Sequence, residues 1–257
     1  MNFSPTYLPI TQNNYTKNTD VAFPDIDWRG SLYVVSSFSA SDGAGGTYNQ
    51  AFWYYGAHLN LQGRGFDGFY AKQTTDNRNG IIEHDYYQRS FPYVGMTFQR
   101  DVSQPSFTLM SRVINTLTKT TLESTTNNQR YFPYVSQSVE TDNEVGGVDN
   151  GSLINQITKT YVFDTYGNAT SVTTATVDED SGSAWHAQTW TTVVTQAITP
   201  NTADWCLTVP TQITVQKTLP STTSVTRTTS VTPDYVNCRV SSTVNEPASS
   251  TLKVTKN

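Results

Sequence analysis

Three histidines, two cysteines and 21 acids are the residues of this 257-residue chain with the most chemistry to offer. Glu83-His84-Asp85 sets an imidazole between two carboxylates, the raw material of general acid–base work. Consecutive strand residues point to opposite faces, however, so only Glu83 and Asp85 share one. A solvated charged strand is the plainer reading. His58 lies in the strand-like run GAHLNL, and His186 follows Trp185 with no partner near it in sequence. Neither G-x-S-x-G, H-E-x-x-H, a phosphate-binding loop nor a Cys/His zinc spacing occurs. The acids of Asp178-Glu179-Asp180, or Asp142, Glu144 and Asp149, could bind calcium, but neither set follows the alternating spacing of an EF-hand. They read as solubilising turns. A glycosidase would need two acids across a cleft, and nothing singles out a pair. The expectation is a protein without catalytic residues, metal ligands or cofactor.

Gly63-Arg64-Gly65-Phe66-Asp67-Gly68-Phe69 formally matches the dinucleotide fingerprint G-x-G-x-x-G. That fingerprint needs a helix to start at its glycines, so that the helix N-terminus can hold a pyrophosphate. Here Phe69–Thr75 alternates like a strand, and Asn79-Gly80 then turns the chain into Ile81–Tyr87. Gly63, Gly65 and Gly68 therefore read as tight-turn glycines, with Phe66 and Phe69 anchored in the sheet.

The elements that must carry these residues are strands. Roughly one residue in six is Thr, 15 are Tyr and 11 Phe, while only 14% are charged. Such composition favours pleated sheet over helix. Ser31–Phe38, Phe107–Thr121, Trp190–Gln196 and Gln212–Thr218 alternate as strands should, whereas residues 1–30 look irregular, broken by Pro5, Pro9 and Pro24. Phe52-Trp53-Tyr54-Tyr55 puts rings on both faces of one strand. Asn201–Leu207 (NTADWCL), after Pro200, is expected to make a helical turn. Cys206 and Cys238 are too few for a disulfide framework; free buried thiols are expected, with one bond open to them if the strands bring them side by side. Net charge is -5, which supplies no basic footprint for nucleic acid. No apolar run reaches membrane-spanning length, and Met1–Ser4 lacks the basic-then-apolar pattern of a signal peptide.

The stretch Thr158–Ala175 reads as strand, turn, strand. Thr160, Val162, Val172 and Thr174 are β-branched, and Asp164 to Asn168 (DTYGN) supplies the reversal. Thr229–Thr243 is a weaker copy, with Asp234 in place of Asp164, and recurrence of this kind points to a repeat architecture. Tyr161-Val162-Phe163-Asp164-x-x-Gly167-Asn168 resembles a YD repeat of the Rhs family. GRGFDGF, the hairpin after it, Tyr86-Tyr87-Gln88, Phe91–Gly95, Tyr131–Glu140 and NTADWCL continue the resemblance, which spans about Ser31 to Val254. It implies an all-β fold, a long, twisted, mostly antiparallel sheet forming part of a hollow shell. Residues 1–125 would lead into the repeats and 126–257 would carry them, continuous with the first segment. Tyr161 and Phe163 would pack neighbouring strands, while Asp164, Gly167, Asn168 and Asp234 would shape the turns.

By the same resemblance the chain is a non-catalytic strip of a shell that encloses a C-terminal toxin, secreted or cell-surface as part of a larger bacterial protein. The core motif and autoproteolytic aspartates that close such shells are not found in it. Leu252–Thr255 alternates like a strand up to the last residue, so Asn257 reads as a cut. The alternative is an adhesion or carbohydrate-binding module using Trp and Tyr rings. A row of exposed coplanar rings would favour binding; rings buried on both faces would favour the shell.

Overall fold

A computed structural model of the chain describes residues 3–125 and 129–256. The expected segment boundary after residue 125 adjoins residues outside that range, and Asn257 lies outside it too. The described residues form seventeen strands and no helix, so the fold is all-β. They divide into two units: residues 1–134 with 140–153, and residues 135–139 with 154–257.

In the first unit the order is β1 (Phe3–Pro9), β2 (Tyr15–Thr16), β3 (Asp25–Asp27), β4 (Tyr33–Ser41), β5 (Thr47–Asn60) and β6 (Gly65–Asp76). Then come β7 (Ile82–Tyr87), β8 (Thr97–Ser103), β9 (Leu109–Glu123) and most of β10 (Arg130–Asn143). β5 is the hub, antiparallel to β3, β4 and β6 and parallel to β2. Residues 3–30 are therefore more ordered than their prolines suggest. Pro5 and Pro9 each withhold one donor, and the residues between them still pair with β4. The buried core is Ile10, Tyr15, Val34 and Ala57, with Trp28, Leu32, Tyr54 and Phe69 packed against it. Tyr54 and Phe69 stand 4.8 Å apart, and Phe69 meets Phe66 edge to face at 5.6 Å. The four-aromatic run does place rings on both faces of β5. Tyr54 donates to the Val35 carbonyl, while Tyr55 donates to Gln73.

The second unit is a plain meander of β11 (Leu153–Phe163), β12 (Ala169–Asp178), β13 (Thr189–Ile198), β14 (Pro210–Thr218), β15 (Val225–Asp234), β16 (Arg239–Asn245) and β17 (Val254–Lys256). Each strand pairs antiparallel with the next. All ten residues of β12 are half-buried rather than alternating between buried and exposed. Among the described residues of this unit, the buried hydrophobics are Cys206, Val209 and Val231.

Two expectations are corrected here. Cys206 and Cys238 are not free thiols but a disulfide, with Cα atoms 5.2 Å apart. The reason is topological. In a meander the connections alternate between ends, so the β13–β14 loop and the β15–β16 turn, two connections apart, fall at the same end. NTADWCL is also no helical turn. Asn201 and Cys206 close it as an antiparallel bridge with backbone bonds of 2.9 and 2.8 Å. The Asn201 side chain accepts from the N–H groups of Ala203 and Asp204, a local turn that competes with helix.

Candidate functional site

The turn end of the second unit gathers the residues that carry the family resemblance. Asp164 Oδ1 accepts from the backbone N–H groups of Tyr166 and Asn168, each at 2.9 Å, and Oδ2 accepts from the Asn168 side chain at 2.8 Å. Burial pushes the Asp164 carboxyl up, but these bonds outweigh it and hold the group below the usual carboxylate range. Gly167 sits at φ +85°, in the left-handed region. Asn168 also donates to the Leu207 carbonyl at 2.8 Å, beside Cys206. At the other turn, Asp234 accepts from Asn237 and Arg239, and these bonds lower its pKa. Tyr235 donates to the Thr199 carbonyl at 3.5 Å. Both Asp-centred turns are thus tied to the one loop that holds Cys206. Tyr161 and Phe163, two residues apart on β11, stack at 6.3 Å.

Gly167 provides a direct test. A branched side chain at that φ meets its own backbone, a cost of about 1–3 kcal/mol. Gly167→Val is expected to lower the melting temperature, and Gly167→Asn to lower it much less, because Asn tolerates the left-handed region. Equal melting of Gly167→Val and the parent would remove the turn assignment.

In the first unit Gly63, Gly65 and Gly68 all have positive φ, between +81° and +99°. No helix begins there; β6 does. Phe66 packs on Trp28 at 6.0 Å and on Phe69. Glu83 and Asp85 share a face of β7, where Arg100 bridges them and Lys72 stands 3.2 Å from Asp85. His84 points the other way, within 3.0 Å of Gln73 Oε1 and stacked on Tyr86. Burial lowers its pKa. Asn18, Tyr55, Tyr70, Ala71, His84 and Tyr86 line a cavity of about 250 Å³.

Sequence reading missed a second cluster, built by three strands. Register pairs Asp27 with His58 and Asp25 with Asn60, so all four side chains share a face and Asp25 is the diagonal neighbour of His58. Opposite, His58 pairs with Gly68 and Leu59 with Phe66, leaving Asp67 as the extra residue of a β-bulge. Bulges re-aim side chains, and this one brings Asp67 Oδ2 to 3.4 Å from His58 Nδ1. Asp25 Oδ2 stands 3.7 Å from His58 Nε2, while its Oδ1 accepts from Asn60 at 2.6 Å. His58 is only 5% exposed, and its Nδ1 has no hydrogen-bond partner. Beside it, Tyr15 donates to Asp27 Oδ1 and accepts from the Ala57 N–H at 2.8 Å. Burial, then the bond to Asp27, raises the Tyr15 pKa well above that of a free phenol.

No protein-family model matches the chain, and no curated protein matches it. Among solved structures, the crystal structure of TcdB2-TccC3-Cdc42 is similar to it, with a TM-score of 0.66 and 8% identity over 83% of this chain. The match spans 16% of that chain. At so low an identity the likeness shows the fold: an all-β architecture of the kind found in that complex.

Proposed function

We propose that the chain is a non-catalytic strip of an Rhs/YD-repeat shell that isolates a C-terminal toxin polypeptide until delivery. The observation that carries this reading is the fold likeness to the TcdB2-TccC3-Cdc42 structure, over most of this chain but a small part of the other. An antiparallel meander, each strand paired with the next, suits a wall element of a repeat architecture. The Asp-centred turns and the YD-like residues fit the same role as fixed corners of a wall. The disulfide supports a secreted or cell-surface setting within the larger protein, since such bonds persist in oxidising compartments. Its partners would be the rest of the shell and the enclosed toxin. For a glycan site the exposed tryptophan pair is not coplanar. Trp185, 58% exposed, meets Trp190 edge to face at 61°. No helix among the described residues is long and apolar enough to cross a membrane.

The test is the size of the native polypeptide in the producing cell, by immunoblot with an antibody against this chain. A band several times larger than 28.5 kDa is expected. A band near that mass would sink the encapsulation reading and turn attention to ligand binding.

A further inference from the structure

We propose that Asp25, His58 and Asp67 hold a divalent transition cation of the zinc class, clamping β3 and β6 onto β5. Their donor atoms lie within 4.8 Å of one another. Tetrahedral zinc, with ligands at about 2.0–2.2 Å, keeps its donors about 3.3–3.6 Å apart, close to the 3.4 Å between His58 Nδ1 and Asp67. One imidazole and two carboxylates form a borderline set that suits zinc better than calcium, which takes six to eight oxygens. Three protein ligands leave a fourth position for water.

The second observation is the orphaned nitrogen. His58 is more than nine-tenths buried, and its Nδ1 faces a carboxylate without a hydrogen bond. A neutral ring can direct only one N–H. Whichever ring nitrogen carries it, the other turns a lone pair toward a carboxylate, Nδ1 toward Asp67 or Nε2 toward Asp25, and two electron-rich groups meet in a buried place. A cation between them resolves that contact. Among the described residues the ion pairs of Asp25 and Asp67 are with His58 alone, so no lysine or arginine already neutralises the cluster. The Asp25 side chain, 32% exposed, leaves a path in from solvent. Asn60 holds it from behind, the outer support that ligating carboxylates commonly have. This inference is independent of the shell reading, since any protein with this first unit would carry the site.

The experiment is isothermal titration of chelator-treated full-length chain with zinc chloride, repeated with calcium chloride and followed by melting curves with and without zinc. One zinc per chain is expected to bind, with a rise in melting temperature and no comparable response to calcium. Asp67→Asn should weaken zinc binding at least tenfold while its circular dichroism stays that of the parent. Asp25→Asn gives a second reading if the Asp67 variant folds poorly. Absence of zinc binding to the parent overturns the proposal. Zinc binding undiminished in both carboxylate variants overturns it equally.

Discussion

Replacing Cys206 and Cys238 together by alanine should lower the stability of the second unit by about 3–4 kcal/mol. The cysteines are 32 residues apart. Releasing a loop of that size returns to the unfolded chain the closure entropy the bond had removed, about 3–4 kcal/mol at room temperature. The native state has little in reserve, because among its described residues the buried hydrophobics are only Cys206, Val209 and Val231. The loop also anchors more than itself. Asn168 bonds to Leu207 and Tyr235 to Thr199, so loosening it weakens both Asp-centred turns. Urea unfolding followed by circular dichroism, oxidised against reduced, reads the effect in the unaltered chain. The midpoint should fall on reduction and should not change in the double-alanine variant. Coincident midpoints for the oxidised and reduced parent would exclude the bond from the energetics of the fold.

What was legible in the sequence follows the range of the interactions. The Asp164 turn is written within five residues. A carboxylate that accepts from the N–H groups two and four residues on, a glycine at positive φ and a closing asparagine are local chemistry, and local chemistry can be read from spacing. The strands from Ser31 onward were legible for the same reason, through alternation. The disulfide was not, because it depends on which connections share an end of a meander, and that requires counting strands correctly across 32 residues. The loop NTADWCL carries the pattern of a helical turn, whereas the bridge between Asn201 and Cys206 is what holds Cys206 at the sheet end. The Asp25, His58 and Asp67 cluster was the least legible. Its members sit on three strands, and one reaches the others only through a bulge. The signal that was present is modest: acids alternating in Asp25-Ile26-Asp27, and a glycine after Asp67 that permits the bulge. Glu83-His84-Asp85 is far more conspicuous in the sequence, yet its adjacency is what keeps His84 on the face opposite the two acids.

Tyr15→Phe is expected to cost about 3–5 kcal/mol, although it removes a single oxygen. Tyr15 is 7% exposed, and its hydroxyl does two things at once: it donates to Asp27 Oδ1 and accepts from the Ala57 N–H. Phenylalanine fills the same space and preserves the hydrophobic contact with Phe69. What it leaves is an unsatisfied buried N–H and a buried carboxylate short of one partner. Each orphaned group costs about 1–3 kcal/mol, and a charged one more. Asp27 is itself only 7% exposed and would keep just the bond from the Asn18 N–H. A double-mutant cycle separates the two parts. In an Asp27→Ala background the carboxylate is gone, so Tyr15→Phe should cost only what the Ala57 N–H loses, about 1–3 kcal/mol. Equal costs in both backgrounds would mean that the hydroxyl does not act through Asp27. A cost under about 1 kcal/mol in the parent would mean that water replaces it. Asp27 and Asp25 share a face of β3 two residues apart, so a strand loosened at Tyr15 should also bind zinc less tightly, linking the stability of this corner to its ligand.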